Sequence, residues 1–498
     1  MRNDAFYGMN NEKQPATQKR ENIAFLKPIC YYKDTKSALR QIRSEKMKTY
    51  DILLEAVEKN RRLILDAERY IWKHPETGYR EWKTSAYLEQ VFEELGYTLT
   101  KAGDIPGFYA DADTGRPGPT VAVLGEMDAL ICADHPEADP QTGAVHACGH
   151  HAQCAALLGV AAALKEPGAL DGICGKVRLM AVPAEELIEI GYRETLRQQG
   201  TIHYFGGKVE FLFRGCLDGV DIAMMVHSSA ISEKSLILYK GNNGCMVKNI
   251  RYVGRGGHAA SPHDGINALY AATLGLQAAN NLRETFQEKD CIRFHPIITK
   301  GGDVVNAIPD DVRLESYVRG ASIDAIAAVN CRINRALAAG AAAIGAKVHL
   351  TDYPGYMPMH NDPNLNALAA ALFEQIVGHE GVVVLDDWTM GSTDMGDLSA
   401  VMPVVQAMAS GASGIGHGNN YYISDPESAC VNAAKAMALL SCHLLAGQGE
   451  EAERIIANAK PVFASKEAYF EAVDKMFLDK EAVIYHEDGT VTLDYCNL

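Results

Sequence analysis

The densest chemistry in the chain lies in His146-Ala147-Cys148-Gly149-His150-His151. Cys148 and His150 stand two apart on a turn before a helix, where a thiolate and an imidazole can converge on one ion; within a helix they would point apart. A small buried cysteine beside a structural histidine is the competing account of the same six residues. Three further sites bear on the choice. Glu185-Glu186 follows an apolar run and Pro183. Two adjacent carboxylates at a strand end can divide labour, one binding metal while the other takes a proton from water. His227 closes Ile222-Ala223-Met224-Met225-Val226, and His417 lies in Gly414-Ile415-Gly416-His417-Gly418. Singly, paired acids are usually solvated surface and a lone histidine is usually core or surface. Together Cys148, His150, one of the Glu185-Glu186 pair, His227 and His417 make a set that suits divalent metal. Zinc accepts mixed Cys, His and carboxylate shells, and manganese or cobalt fits where carboxylate and imidazole dominate.

The elements that must hold these residues read as α/β. Helical spacing starts at Met47 and runs to about Ala67, and the stretch from Asp66 to Tyr97 continues as helix with a break at His74–Gly78. Thr120–Leu124 is a short apolar, β-branched run between Pro119 and Gly125, hence a buried strand delivering Gly125-Glu126-Met127-Asp128. His151 to Leu164 is helical, Lys176–Val182 is a strand that delivers the glutamate pair, and Asp221–Val226 is a strand that delivers His227. Ligands in such sheets collect at the carboxyl ends of strands. From about Asn242 to Tyr353 the order becomes β-α-β-β-α-β, which predicts a ferredoxin-like module inserted into a mixed-sheet α/β domain. The expected division is a polar tail at 1–46, a catalytic domain at 47–241 and 357–447, a lid and dimerisation domain at 242–356, and a helical extension at 448–498.

Bulk composition narrows the class. With 498 residues, 47% of them hydrophobic, the chain has ample length for two or three globular domains. A formal net charge of -16 argues against nucleic acid, which calls for a basic surface. No apolar stretch reaches the roughly 20 residues of a membrane span, and no secretory signal is evident. The twelve cysteines are scattered without a framework, which predicts reduced thiols and a cytoplasmic setting. Thiol redox chemistry at Cys148 lacks a C-x-x-C partner, and no G-x-S-x-G elbow supports a serine nucleophile.

The order GEMDAL, HACGHH, AEE, a strand-end histidine, GRGGHAASPH, GGDVVNAIPD, GSTDMGD and a late histidine resembles the metal-dependent aminoacylase/carboxypeptidase family, peptidase family M-twenty. The likeness covers about residues 50 to 447 and is to the amidohydrolase branch of hippurate, auxin-conjugate and p-aminobenzoyl-glutamate hydrolases, with GSTDMGDLS nearest the last type. It implies two divalent ions, zinc or manganese with cobalt as a third candidate. Cys148 would touch both, His150 and His227 would complete one, and Glu186 and His417 the other. It implies Glu185 as general base and Asp128 as a carboxylate orienting a site group. The wider family has a histidine ligand where Glu126 stands. His151 and Gln153 depart from the H-x-C-G-H-D-x-H pattern common in the branch; neither is a matched ligand, and both bear on substrate preference.

The resemblance further implies a homodimer in which His258, on the glycine-rich Gly254–His258 edge of the inserted module, reaches the partner's site as an oxyanion donor with Asn306 nearby. Asp394, in the Gly391–Asp397 turn, is a candidate for orienting a ligand or contacting substrate, with a plain loop cap as the alternative. Arg319, like Arg255 and Arg313, could grip a substrate carboxylate. The expected reaction is hydrolysis of the amide bond in a small N-acyl or N-aroyl amino acid. A dipeptidase or carboxypeptidase would use the same machinery on a peptide bond. A non-catalytic, metal-stabilised binding protein is the alternative of another class, and it would have no use for the unbound base Glu185.

Overall fold

Two sheets of different character follow from the two sequence patterns. The structure is a computed structural model describing residues 48–230 and 235–496; the expected tail at 1–46 lies outside the described residues. Short strands aside, the chain opens with helices 48–59 (α1), Arg61–Trp72 (α2) and Trp82–Glu94 (α3), then strands Thr100–Lys101 (β1), Phe108–Asp113 (β2) and Thr120–Glu126 (β3). Helix His150–Leu164 (α4), strand Lys176–Val182 (β4), helices Ile190–Gln198 (α5) and Gly207–Phe213 (α6), and strands Ile222–Ser229 (β5) and Leu236–Leu238 (β6) follow. The inserted module is Gly244–Val253 (β7), Ala268–Asn280 (α7), Arg293–Lys300 (β8), Asp311–Gly320 (β9), Ile323–Ile344 (α8) and Lys347–Pro354 (β10). The first sheet resumes through Pro363–Val377 (α9), Val382–Val384 (β11), Met395–Ser399 (α10), Val404–Ser410 (β12) and Ala433–Leu444 (α11). Glu450–Asn458 (α12), Lys466–Asp474 (α13) and Leu478–Glu481 (β13) come last.

The larger sheet has the order β1-β2-β4-β3-β5-β12-β6-β11. Its centre is parallel, with β3 between β4 and β5 and β12 beside β5, while β2 against β4 and β12 against β6 are antiparallel. Both faces of that centre are covered, so β3 is buried at every position and its side chains need not alternate. Helix α4 is buried along its whole length and is correspondingly apolar all round. It packs so closely on α2 and α11 that a Cβ at Gly159 would lie 2.7 Å from Ile64 Cδ1 and 2.8 Å from Ala434 Cβ.

The inserted module forms a wholly antiparallel sheet, β8-β9-β7-β10-β13. Helices α7 and α8 pack together over one face, starting from side-chain caps at Asn267 and Ser322. Strand β7 is largely buried because it lies at the centre between β9 and β10. Its Lys248 is fully buried and is held by an ion pair to Asp352 and by Asn330 Oδ1 at 2.8 Å.

Two expectations need correcting. The extension after 447 is helical only as far as Asp474; Leu478–Glu481 then adds to the module's sheet along β10, with Leu478 opposite Asp352 and Glu481 opposite His349. Strand addition satisfies backbone groups whatever the side chains are, so the charged sequence Leu478-Asp479-Lys480-Glu481 gave little sign of it. The thiols are not all reduced either, since Cys331 on α8 is bonded to Cys496, 165 residues later in the chain. Only the fold brings them together. The same segment also holds the first domain: Tyr469 is fully buried with its hydroxyl donating to Asp397 Oδ1 at 2.8 Å, and Phe463 N–H donates to Ala400 O at 2.9 Å. The C-terminal segment is therefore a strap joining the module's sheet to the α10 region of the first domain. Among the described residues no helix is long and apolar enough to cross a membrane.

Candidate metal centre

The donors meet at the carboxyl ends of β3, β4 and β5, beside the start of α4. Gly149 precedes that helix with φ 92°, in the left-handed region that favours glycine, and a Cβ there would collide with the Ser228 and Tyr421 hydroxyls. This bend puts Cys148 on the turn and His150 on the first helical position. Glu185 and Glu186 follow β4 through Ala184, whose φ is 58°. The strained step is held from several sides: Ala184 N–H donates to Glu81 Oε1 at 2.8 Å, Arg193 donates to the carbonyls of Ala184 and Glu186, and the Tyr356 hydroxyl donates to Glu185 O. His417, also at positive φ, is tied down by its N–H donating to Ala147 O at 2.9 Å.

Three donor triads result, each with its ligand atoms within 4.8 Å of one another: Cys148, His150 and His227; Cys148, Glu186 and His417; and Glu126, His150 and Glu185. The first two share the thiol. Cys148 Sγ lies 3.5 Å from His227 Nε2, and His417 Nε2 lies 3.3 Å from Glu186 Oε1. Asp128 joins the halves. Its Oδ1 accepts from His150 Nδ1 at 3.1 Å and its Oδ2 accepts from Glu186 N–H at 2.7 Å. His227 Nδ1 donates to Ser228 O at 2.8 Å. Both rings therefore turn their Nε2 atoms toward the shared space, the usual way an outer partner fixes the tautomer of a ligating histidine.

The residues fit a pair of divalent ions. His150 Nε2 and Glu186 Oε1 are buried and make no well-aligned hydrogen bond, facing only Glu126 Oε2 at 3.1 Å and His417 Nε2 at 3.3 Å, an arrangement that suits a cation. Burial and the Glu186 charge push the Cys148 thiol up, but His150 and His227 outweigh them and hold it down at about 6, so a thiolate is available. The Glu186 charge, with hydrogen bonding from Cys148 and Glu186, raises His417 to about 11; that negative field favours a metal cation equally. Burial, reinforced by the charges of Glu126 and Glu186, pushes the Glu185 carboxyl well above the usual range. Glu185 Oε2 lies 4.0 Å from His150 Nε2 and belongs to neither triad that contains the thiol.

Residues 122–443 match the family model described as peptidase family M20/M25/M40. The chain belongs to that family. The chain is 28% identical over 324 residues to an N-acetyl-L-cysteine deacetylase of Bacillus subtilis (strain 168), covering 63% of this chain and 72% of that protein. It is 31% identical over 264 residues to one of the subunits of the p-aminobenzoyl-glutamate hydrolase of Escherichia coli (strain K12), covering 51% of this chain and 50% of that one. A solved Bacillus subtilis structure, a dinuclear metal binding peptidase from the M20 family, shares the fold with a TM-score of 0.57 at 21% identity, over 78% of this chain and 99% of that one.

Not every expected site residue lies at the centre. His258 and Asn306 are exposed together on the inserted module, where Ala259 N–H donates to Asn306 O at 3.0 Å and Ala260 N–H donates to His258 Nδ1 at 2.9 Å. Arg319 is half-buried on β9 with its guanidinium 5.3 Å from the Tyr317 ring; Arg313 is committed to Asp311 at 2.8 Å. Asp394, expected to orient a ligand or contact substrate, is fully buried; its Oδ1 pairs with the Lys208 ammonium and its Oδ2 accepts from Lys208 N–H at 2.8 Å. A turn sequence cannot reveal that its aspartate faces inward. Neither altered position belongs to a donor triad: His151 Nε2 lies 3.1 Å from Glu68 Oε1, and Gln153 bonds to Glu126. Sequence reasoning missed Lys208, Arg193 and Tyr356. A lone lysine opening a short helix looks like surface, and nothing local marks it as buried.

Proposed function

We propose that the chain hydrolyses the amide bond of N-acyl or N-aroyl amino acids with a pair of divalent ions, zinc or manganese, for which Cys148 would be the shared donor. The observation that carries this is the thiol common to two donor triads, with a carboxylate, Glu185, beside them and outside both. His150 and His227 would hold one ion and Glu186 and His417 the other. When bound, the ions would polarise the scissile carbonyl and make water more acidic. Glu185 takes the proton of the attacking water and delivers it to the leaving nitrogen; its raised affinity for protons suits that shuttle. Asp128 holds His150 and the Glu186 backbone in register. The amide chemistry agrees with the substrates named for the deacetylase and the p-aminobenzoyl-glutamate relatives.

His258 and Asn306 act across a homodimer as oxyanion donor and substrate contact, and Arg319 receives the substrate carboxylate. The edge strand β8 supports the dimer: Ile297 and Ile298 are exposed on it, and Tyr270 and Leu274 are exposed on α7. The nine free cysteines of the described chain support a cytoplasmic setting, with the Cys331–Cys496 bond as the exception.

Hydrolysis of hippurate, N-acetyl amino acids, p-aminobenzoyl-glutamate and dipeptides, assayed with each metal, separates the amidohydrolase from a dipeptidase. Mixing His258→Ala subunits with Glu185→Ala subunits should restore part of the activity each lacks. Verified mixed dimers without any recovery would contradict the shared site.

A further inference from the structure

The metal centre contains one carboxylate more than the proposed chemistry uses. Glu126 ends β3 and is 1% exposed, with Oε2 only 3.1 Å from His150 Nε2, the nitrogen turned toward the shared space. It also completes the third donor triad, with His150 and Glu185. Left to itself this carboxylate would compete for an ion, or crowd the base with a second negative charge.

Two side chains from other elements hold it. Lys208, in the first turn of α6, has no exposed side-chain surface, and its ammonium pairs with Glu126 Oε1 on one side and Asp394 Oδ1 on the other. Gln153, one turn into α4, donates from Nε2 to Glu126 Oε2 at 2.8 Å and accepts from Glu126 N–H through Oε1 at 3.3 Å. Both oxygens of Glu126 are thus engaged, and the lysine itself is fixed by its backbone bond to Asp394.

We propose that Lys208 is a positioning residue that, with Gln153, neutralises Glu126 and holds it off the ions, so that His150 serves as the ligand and Glu185 remains the free carboxylate. The proposal rests on the two-metal reading above. Removing the ammonium leaves an uncompensated carboxylate beside His150 with one of its two restraints gone. An added negative charge there should attract divalent ions while misplacing the groups that work on the substrate. A lysine that merely supported the fold would instead weaken metal binding and stability together.

The test compares wild type, K208M, E126Q and K208M/E126Q. Ion content is measured by elemental analysis, zinc affinity by competition with a chromophoric chelator, and turnover on hippurate-type substrates. K208M should bind zinc about tenfold more tightly and lose roughly 100-fold in kcat, the scale of effects seen for groups that orient ligands. K208M/E126Q should return zinc affinity to within about twofold of wild type, the tolerance for uncoupled sites. E126Q should keep both ions at wild-type affinity. Loss of an ion or about tenfold weaker zinc binding in E126Q would make Glu126 a ligand and overturn the proposal. Equal affinity and kcat in K208M and K208M/E126Q would overturn it as well. Should K208M fail to fold, E126Q alone decides. Ion content of wild type separates the two readings: fewer than two ions there defeats the two-metal reading, whereas two ions in wild type and one in E126Q defeats only this inference.

Discussion

Opening the Cys331–Cys496 bond should free the strap and lower the stability of the inserted module without touching a metal donor. The bond closes a loop of 165 residues, for which the chain-entropy relation gives about 5 kcal/mol of stabilisation, drawn mainly from the restricted unfolded chain. Among the folded contacts it backs, four residue pairs join β13 to β10, and Asn334 Nδ2 donates to Tyr495 O at 3.2 Å. The perturbation is C331S/C496S, which removes the crosslink and little else. Urea unfolding should show a lower midpoint, by up to the equivalent of about 5 kcal/mol. Hydrogen exchange should show faster exchange in residues 478–494. Alkylation of the unreduced, denatured wild type should leave two of its twelve cysteines unmodified. Twelve modified thiols, or identical midpoints and exchange in the variant, would refute the strap.

Other perturbations probe the module's interior and its charged rim. K248M strands Asp352 in the core and should cost about 3–5 kcal/mol in urea unfolding; a loss below about 1 kcal/mol, the range of exposed pairs, would contradict the buried pair. Asp311 accepts from Arg313 Nη2 and Arg251 Nε, each at 2.8 Å, and from Lys300 Nζ at 3.2 Å; the Arg313 hydrogen bond leads the others in lowering its pKa against a partial burial that raises it. A depressed carboxylate contributes stability above the unfolded value of about 4 and loses it as pH falls toward the folded value. Wild type should therefore lose more stability than D311N between about pH 5 and pH 2.5. Parallel loss in the two proteins would count against the cluster.

Much of the site was legible because its donors stand at element ends. A buried parallel strand reads as a short apolar run, and whatever follows it, as Glu185-Glu186 follows Lys176–Val182, is delivered to the sheet's carboxyl edge. The inserted module was legible from element order alone. What escaped notice depends on long-range packing. Lys208 and Asp394 have the composition of surface residues and are paired only because α6 meets the start of α10. The β13 strand carries three charges in four residues, since an edge strand needs backbone pairing more than an apolar face. The Cys331–Cys496 pair leaves no spacing signal when 165 residues intervene.

The most direct test of the metal centre is ion content and turnover measured together for wild type, E185Q and C148S. Wild type should hold two ions and hydrolyse an N-acyl amino acid. E185Q should keep both ions and lose about 10²–10⁴ in kcat, the usual contribution of a general base. C148S should lose at least one ion, because its thiol serves both triads. Near-normal turnover in E185Q, or two tightly held ions in C148S, would contradict a thiolate-bridged centre with Glu185 as its base.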